Sequence, residues 1–201
     1  MVAKPHLEQA LEMAQHLRSQ HWIHHATGAL AVTWRLLGQP ARAHACLATA
    51  LAAPTGMATL HGRTCWAGRA GLALAEGDPC LALDIADRLI ATAPGMTPGR
   101  VVTHLWQLKG EALTALGQFE AAFALLQAAV ENAHAPGERF HLWRMHACLG
   151  RLYSAMDRQT EAQREFAAAR DLIVALAQSA SNQVLRENFV QRACSMLTSP
   201  P

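Results

Sequence analysis

The chain has 201 residues, of which 51% are apolar and 16% charged, and its formal net charge is +2. A charge so close to zero is too small to imply the basic surface typical of nucleic-acid-binding and anionic-membrane-binding proteins. Alanine and leucine dominate the apolar residues, and since both are strong helix formers the composition favours an all-α fold.

Apolar periodicity and chain breaks predict ten helices. An amphipathic helix over residues 5–18 comes first, and another over 182–197 comes last, with Leu185, Phe189, Ala193 and Met196 on one apolar stripe. Between them lie four helix pairs, which are separated by breaks at Pro54, Pro94, Pro98 and Pro136. The first helices of the pairs are predicted near 20–37, 57–76, 98–116 and 138–156, and the second near 40–53, 79–92, 118–134 and 158–178.

Each pair is joined by a very short turn. Gly38, Gly77 and Gly117 follow the first helix of three pairs, and Asp157 takes this place in the fourth. Such residues suit the left-handed conformation just past a helix C-terminus. Because the next helix starts within two residues, we expect antiparallel hairpins.

The hairpins repeat with a fixed period. Each has a small residue in its first helix and an alanine twelve positions later in its second. The small residues follow one another at 39, 40 and 40 residues, a regularity that predicts a solenoid of stacked units. The pairs are Ala31/Ala43, Ala70/Ala82, Gly110/Ala122 and Gly150/Ala162.

Larger residues around these pairs make the units resemble tetratricopeptide repeats (TPRs). The fourth unit reads Leu149-Gly150-x2-Tyr153 and then Ala162-x3-Phe166, and the third has Trp106 four positions before Gly110. The period departs from the family, being 39–40 rather than about 34 residues. Long units of this kind are similar to the helical-repeat sensor regions of large bacterial ATPase-linked transcriptional regulators and cyclases. The resemblance implies an all-α, right-handed superhelical solenoid of antiparallel hairpins.

The predicted organisation follows from these units. Residues 1–19 form an N-terminal helix, which is either a cap or the remnant of a preceding repeat. The remnant is slightly favoured, and it would make the chain a fragment of something longer. Residues 181–201 form a capping helix and tail. The four repeats between them span 20–56, 57–97, 98–136 and 137–180.

The resemblance also implies where a ligand binds, because the first helices of tetratricopeptide arrays line a concave groove. The residues predicted to face it with polar groups are His25, Arg35, His104, Gln107, Glu111, Arg144 and Arg151. Arg144 and Arg151 are the candidates for holding a carboxylate or an acidic peptide segment, since guanidinium binds carboxylates in a bidentate manner. Trp22 and Trp143 fall off the repeat core positions, and packing in the lengthened helix start is favoured over ligand contact for both.

Catalytic chemistry has little support in the sequence. His21 and His25 are four apart on a helix, as two metal ligands can be, but no third ligand has a recognisable spacing. Five scattered cysteines without a CxxC indicate buried free thiols in a reducing compartment. No phosphate loop, nucleophile elbow or dinucleotide motif is present.

We therefore expect a non-catalytic protein- or peptide-binding scaffold or adaptor. It should need no cofactor and no metal, contact neither nucleic acid nor membrane, have some capacity for self-association, and be cytoplasmic. The alternative is an effector-sensing segment of a larger signalling or transcriptional regulator. A metal-dependent enzyme is a third, disfavoured class.

Overall fold

A computed structural model describes residues 3–52, 56–93, 103–133 and 139–198, and all regular structure in these ranges is α-helical. The expected all-α class is thus confirmed. The helices are α1 (Ala3–His16), α2 (Gln20–Leu36), α3 (Pro40–Leu51), α4 (Leu60–Ala75), α5 (Pro79–Ala91), α6 (Thr103–Ala115), α7 (Phe119–Ala133), α8 (Arg139–Ala155), α9 (Gln159–Ala177) and α10 (Gln183–Thr198).

Most helix boundaries within the described ranges lie within two residues of their predicted positions. The exception is α4, which begins at Leu60 rather than near residue 57, because Thr59 is its N-cap and accepts a hydrogen bond from the Gly62 amide at 3.3 Å. The predicted breaks at Pro54, Pro94, Pro98 and Pro136, and the predicted helix starts at 98 and 138, lie outside the described residues.

The chain divides into two compact units, Met1–Arg100 and Val101–Pro201. In the first unit α2 packs against α1, α3 and α4, and α4 also packs against α3 and α5. In the second unit α8 packs against α6, α7 and α9, and α10 packs against α9. Since α6 also packs against α7, every short turn in the described ranges joins two helices that contact each other.

Five of these turns share one backbone conformation. Gly38, Gly77, Gly117 and Asp157 have positive φ angles, as predicted, and so does Arg18 in the turn between α1 and α2. After each of them, the next amide donates to the carbonyl five residues back, as Gln39 does to Trp34 at 2.9 Å. This is the Schellman arrangement of helix C-termini. The turn at Arg18 was not predicted, because arginine is not a residue that normally marks this conformation.

The small residues of the four repeat pairs are all buried. A Cβ atom added to Gly110 would lie 2.6 Å from a Leu126 methyl carbon, and one added to Gly150 would lie 2.6 Å from the Phe166 ring. Leu126 and Phe166 each come four positions after the alanine of their pair. The small residue thus receives the large side chain of the following helix, as ridge-into-groove packing requires.

Each unit has its own apolar cluster. In the first, Leu30, Trp34 and Leu47 pack together, and in the second Trp143 packs with Ile173, Ala193 and Leu197. Of the two tryptophans that fall off the repeat positions, Trp143 is buried, but Trp22 is 57% exposed, against the packing preferred for it.

The apolar stripe of α10 is only partly buried. Ala193 and Leu197 are buried, but Leu185 remains 51% exposed and Phe189 36% exposed. The expected stripe therefore packs in the second half of the helix and leaves its first half in contact with solvent.

Candidate functional site

An ion pair of low exposure joins α6 to α8 in the second unit. Glu111 Oε1 accepts hydrogen bonds from Arg151 Nη2 at 2.8 Å and from Gln107 Nε2 at 3.1 Å. Arg151 Nη1 also donates to the carbonyl oxygen of Met196 in α10 at 3.3 Å. Neither charged side chain is more than 20% exposed. Three of the predicted groove residues, Gln107, Glu111 and Arg151, therefore meet in one internal network.

A buried cysteine belongs to the same network. The Cys148 thiol donates to Glu111 Oε1 at 3.1 Å, and Arg151 lies one helical turn further along α8. Burial and the neighbouring charge of Glu111 raise the pKa of Cys148 well above its usual range. Since the nucleophile in cysteine chemistry is the thiolate, a raised pKa disfavours nucleophilic attack by this thiol.

A cleft of about 300 Å³ lies between α8, α9 and α10 in the same unit. Aromatic and aliphatic side chains form most of its wall, and two basic side chains contribute polar groups. The described residues that line it are Phe140, His141, Trp143 and Arg144 of α8, Leu176 and Ala177 of α9, Ser179 and Ala180 after α9, and Phe189 of α10.

Arg144 is the predicted groove residue that reaches this cleft. Its guanidinium carbon lies 4.8 Å from the centroid of the Trp143 ring, a cation–π contact. Trp143 itself is only 3% exposed, so it gives the arginine a rigid platform. Arg144 and Arg151 therefore have different surroundings. Arg151 pairs with the Glu111 carboxylate, and Arg144 lines the cleft.

Large apolar side chains are exposed around the cleft. Phe140 is 55% exposed and Phe189 36% exposed, and both line the cleft. Exposed aromatic side chains on the wall of a cavity are typical of a binding surface. Val184 and Leu185, about one turn before Phe189 on α10, are also exposed, by 64% and 51%.

Histidines cluster in the first unit, between α2 and α4. The Nδ1 atoms of His21 and His61 are 3.2 Å apart, and the His24 ring stacks on His61 with 5.4 Å between centroids. Burial, followed by the nearby charges of His21 and His24, lowers the pKa of His61. The Trp22 ring contacts both His21 and His25, at 4.9 and 5.9 Å between ring centroids. The two histidines of the predicted metal pair therefore lie against one tryptophan, and His21 also meets His61.

The remaining predicted groove residues lie elsewhere. Arg35 is in the last turn of α2 and His104 in the first turn of α6, and both are half-buried. Neither is among the residues that line the cleft. His25 and Arg35 belong to the first compact unit, and the other five predicted residues belong to the second.

Sequence reasoning missed most of the cleft. Phe140, His141 and Ser179 carry no repeat signature, and Phe189 was assigned to the apolar stripe of the last helix. Trp143 falls off the repeat core positions, and its burial against α9 and α10 is a contact that the repeat pattern does not specify.

Within the described ranges, no group of three or more His, Cys, Asp or Glu side chains is arranged to hold a metal ion. No helix in the part of the chain that the structure describes is both long and apolar enough to cross a membrane. Comparison of the chain with protein-family models, curated proteins and solved structures gave no match. The functional argument therefore rests on the geometry of the site.

Proposed function

We propose that this protein is a non-catalytic binding module of tetratricopeptide-like hairpins, stacked into a right-handed solenoid. The five equivalent turns and the buried small residues at the predicted period support the hairpin units. The raised pKa of Cys148 is consistent with a structural thiol in place of a nucleophile. The module would act as an adaptor by binding a protein or peptide partner.

The cleft between α8, α9 and α10 is the observation that carries this proposal. It combines an apolar wall, exposed aromatic residues at its rim and one guanidinium group. Aromatic and arginine side chains are those that most often dominate binding energy in interfaces. Of the two arginines predicted to hold a carboxylate, Arg144 is the one that lines this cleft, whereas Arg151 binds Glu111.

The test begins with affinity capture from native lysate, after which the captured partner is purified and its dissociation constant measured directly. We expect Phe189→Ser to weaken binding about tenfold or more, because it removes an aromatic anchor. Arg144→Glu should weaken it further by reversing the charge of the cleft.

Val174→Ser is the matched control, because Val174 is 48% exposed on α9 but does not line the cleft. All variants should retain the helical circular dichroism of the wild type. Equal affinities for the Phe189→Ser and Val174→Ser variants would show that the partner binds elsewhere.

The cleft also favours a second candidate function, that of an effector-sensing segment. Its walls come from three helices, and its volume of about 300 Å³ falls at the lower end of small-molecule sites. In this case a small effector would occupy the cleft, and the response would pass to another part of a regulator.

A further inference from the structure

Two histidine side chains meet at the start of α2 and α4 in the first unit. The Nδ1 atom of His21 lies 3.2 Å from the Nδ1 atom of His61, which follows it by 40 residues, and the contact is exposed to solvent. Imidazole nitrogen is the commonest metal ligand among protein side chains. Two such nitrogens facing one another across a helix pair therefore form a candidate metal site, which the proposed binding function does not use.

The distance between the two nitrogen atoms fits a zinc ion. Zinc binds histidine nitrogen at ~2.0–2.1 Å, so two nitrogens at a tetrahedral angle lie ~3.3–3.4 Å apart. At the ~90° angle of square-planar or octahedral coordination, the same bond lengths would bring them to ~2.8–3.0 Å. The 3.2 Å between His21 and His61 corresponds to an angle of ~100–106° at the ion, which is closer to the tetrahedral value. The pair therefore favours zinc over ions that require right angles.

Neighbouring rings hold both histidines in place. The Trp22 ring meets His21 edge-on, with 4.9 Å between ring centroids and 88° between ring planes. The ring of His24, which is buried, stacks on His61 with 5.4 Å between centroids and 14° between planes. Ligands that packing has already oriented lose little freedom when an ion binds. The observed contact is therefore close to the arrangement that coordination needs.

The protons of the pair are also accounted for. A hydrogen bond between the two Nδ1 atoms requires one ring to carry its proton there and the other ring to present a lone pair. An ion bound by both Nδ1 atoms requires a lone pair on each. The proton therefore moves to Nε2 of its own ring, the position that is unprotonated in that neutral tautomer. Water can carry this transfer, since the contact is exposed.

We propose that His21 and His61 bind one zinc ion through their Nδ1 atoms and thereby link α2 to α4. Within the described ranges no group of three or more His, Cys, Asp or Glu side chains is arranged around an ion, so water completes the coordination. Water in the remaining positions makes the ion exchangeable. The site is independent of the cleft in the second unit, so either proposal can fail without the other.

Isothermal titration calorimetry with zinc chloride tests the site at a pH of about 7.5, where histidines of ordinary pKa are mostly neutral. We expect saturable, one-to-one binding to the wild type. The variants His21→Gln and His61→Gln should each reduce the affinity about 10- to 100-fold, because each removes one of the two protein ligands.

His25→Gln is the matched control. His25 is also exposed, lies four residues after His21 on α2, and meets the Trp22 ring at 5.9 Å between ring centroids. It is thus the competing second ligand that the sequence spacing suggests. Its replacement should leave the zinc affinity unchanged, since the proposed ion lies between α2 and α4.

Thermal unfolding gives a second readout. An ion that binds only the folded protein stabilises it, so zinc should raise the unfolding temperature of the wild type and of His25→Gln. The same zinc concentration should leave the unfolding temperature of His61→Gln nearly unchanged. Circular dichroism should show equal helical content in all variants.

Three results would overturn the proposal: no saturable zinc binding by a helical wild type, equal zinc affinity in the wild type and His61→Gln, or a loss in His25→Gln as large as that in His61→Gln. The second result would mean that the ion binds elsewhere on the chain. The third would mean that it is held along α2, without a link to α4.

Discussion

The two compact units differ at equivalent positions of the repeat. In the second unit Glu111 and Arg151, each one residue after a repeat glycine, form an ion pair between α6 and α8. The corresponding residues of the first unit are Val32 and Gly71. There α2 and α4 come close at a glycine instead, where a Cβ added to Gly28 would lie 2.9 Å from the Thr64 backbone.

The close approach at Gly28 leaves little space for a longer side chain at this point of the first unit. Polar contacts between α2 and α4 lie in the first two turns of these helices, where the Cys65 thiol donates to the His24 carbonyl oxygen at 3.0 Å and His21 meets His61 in an exposed position. A common small-residue pattern thus supports two kinds of helix contact, and the units should respond differently to substitution, as the following three experiments test.

The largest effect is expected for Arg151→Met in the second unit. Removing the guanidinium leaves Glu111, which is 11% exposed, without its charged partner, and this should lower the free energy of unfolding by about 3 kcal/mol. The double variant Arg151→Met/Glu111→Met should recover most of the loss, since it removes both charges. Urea denaturation measures both values, and a double variant less stable than Arg151→Met alone would refute the ion-pair account.

A smaller effect is expected for Gly28→Ala in the first unit. The added Cβ meets backbone atoms of Thr64 that cannot move without shifting α4, so we expect a loss of about 2 kcal/mol in the free energy of unfolding.

Gly68→Ala, on α4, provides the matched control. Its added Cβ would be no closer than 3.6 Å to any neighbour, so the better helix propensity of alanine should leave stability unchanged or raise it by about 0.5–1 kcal/mol. Equal losses in the two variants would mean that backbone proximity does not distinguish the two glycines.

The smallest effect concerns pH. The pKa of His61 is lowered in the folded protein by burial and by the charges of His21 and His24. The unfolded chain therefore binds more protons as the pH falls below about 6.5, and the folded state loses stability on acidification. Thermal unfolding between pH ~7.5 and ~5.5 should show a smaller loss for His61→Gln than for the wild type. If the unfolding temperatures of the wild type and His61→Gln changed in parallel with pH, protonation of this histidine cluster would not be coupled to folding.

The helices and their pairing were largely predictable from local signals. Left-handed glycines, the proline that starts α3 and the twelve-residue spacing are all local, and they placed most described boundaries within two residues. The start of α4 was missed, because Thr59 and the residues before it differ by only a few tenths of a kcal/mol in their preference for the N-cap position. Arg18 was missed because nothing in arginine favours its left-handed conformation.

The candidate site was only partly predictable. Arg144 and Arg151 are seven residues apart on α8 and therefore lie on the same face of that helix. They differ in their contacts: Glu111 on α6 forms an ion pair with Arg151, and Trp143 on α8 makes a cation–π contact with Arg144. Periodicity identifies residues of one helix face, but it does not specify which neighbouring side chain reaches each of them.

The sequence by itself determined the all-α class, the turns and the buried small residues, because these depend on backbone preferences and on spacing along one or two helices. Only the tertiary structure decided that Arg151 is paired internally, that His21 meets His61 forty residues away, and that Phe140 and Phe189 line a common cleft. The physical reason is that a cleft or an ion pair depends on distances between helices. A repeat pattern constrains these distances to within a side-chain length, and hydrogen bonding requires them to be right within a few tenths of an ångström.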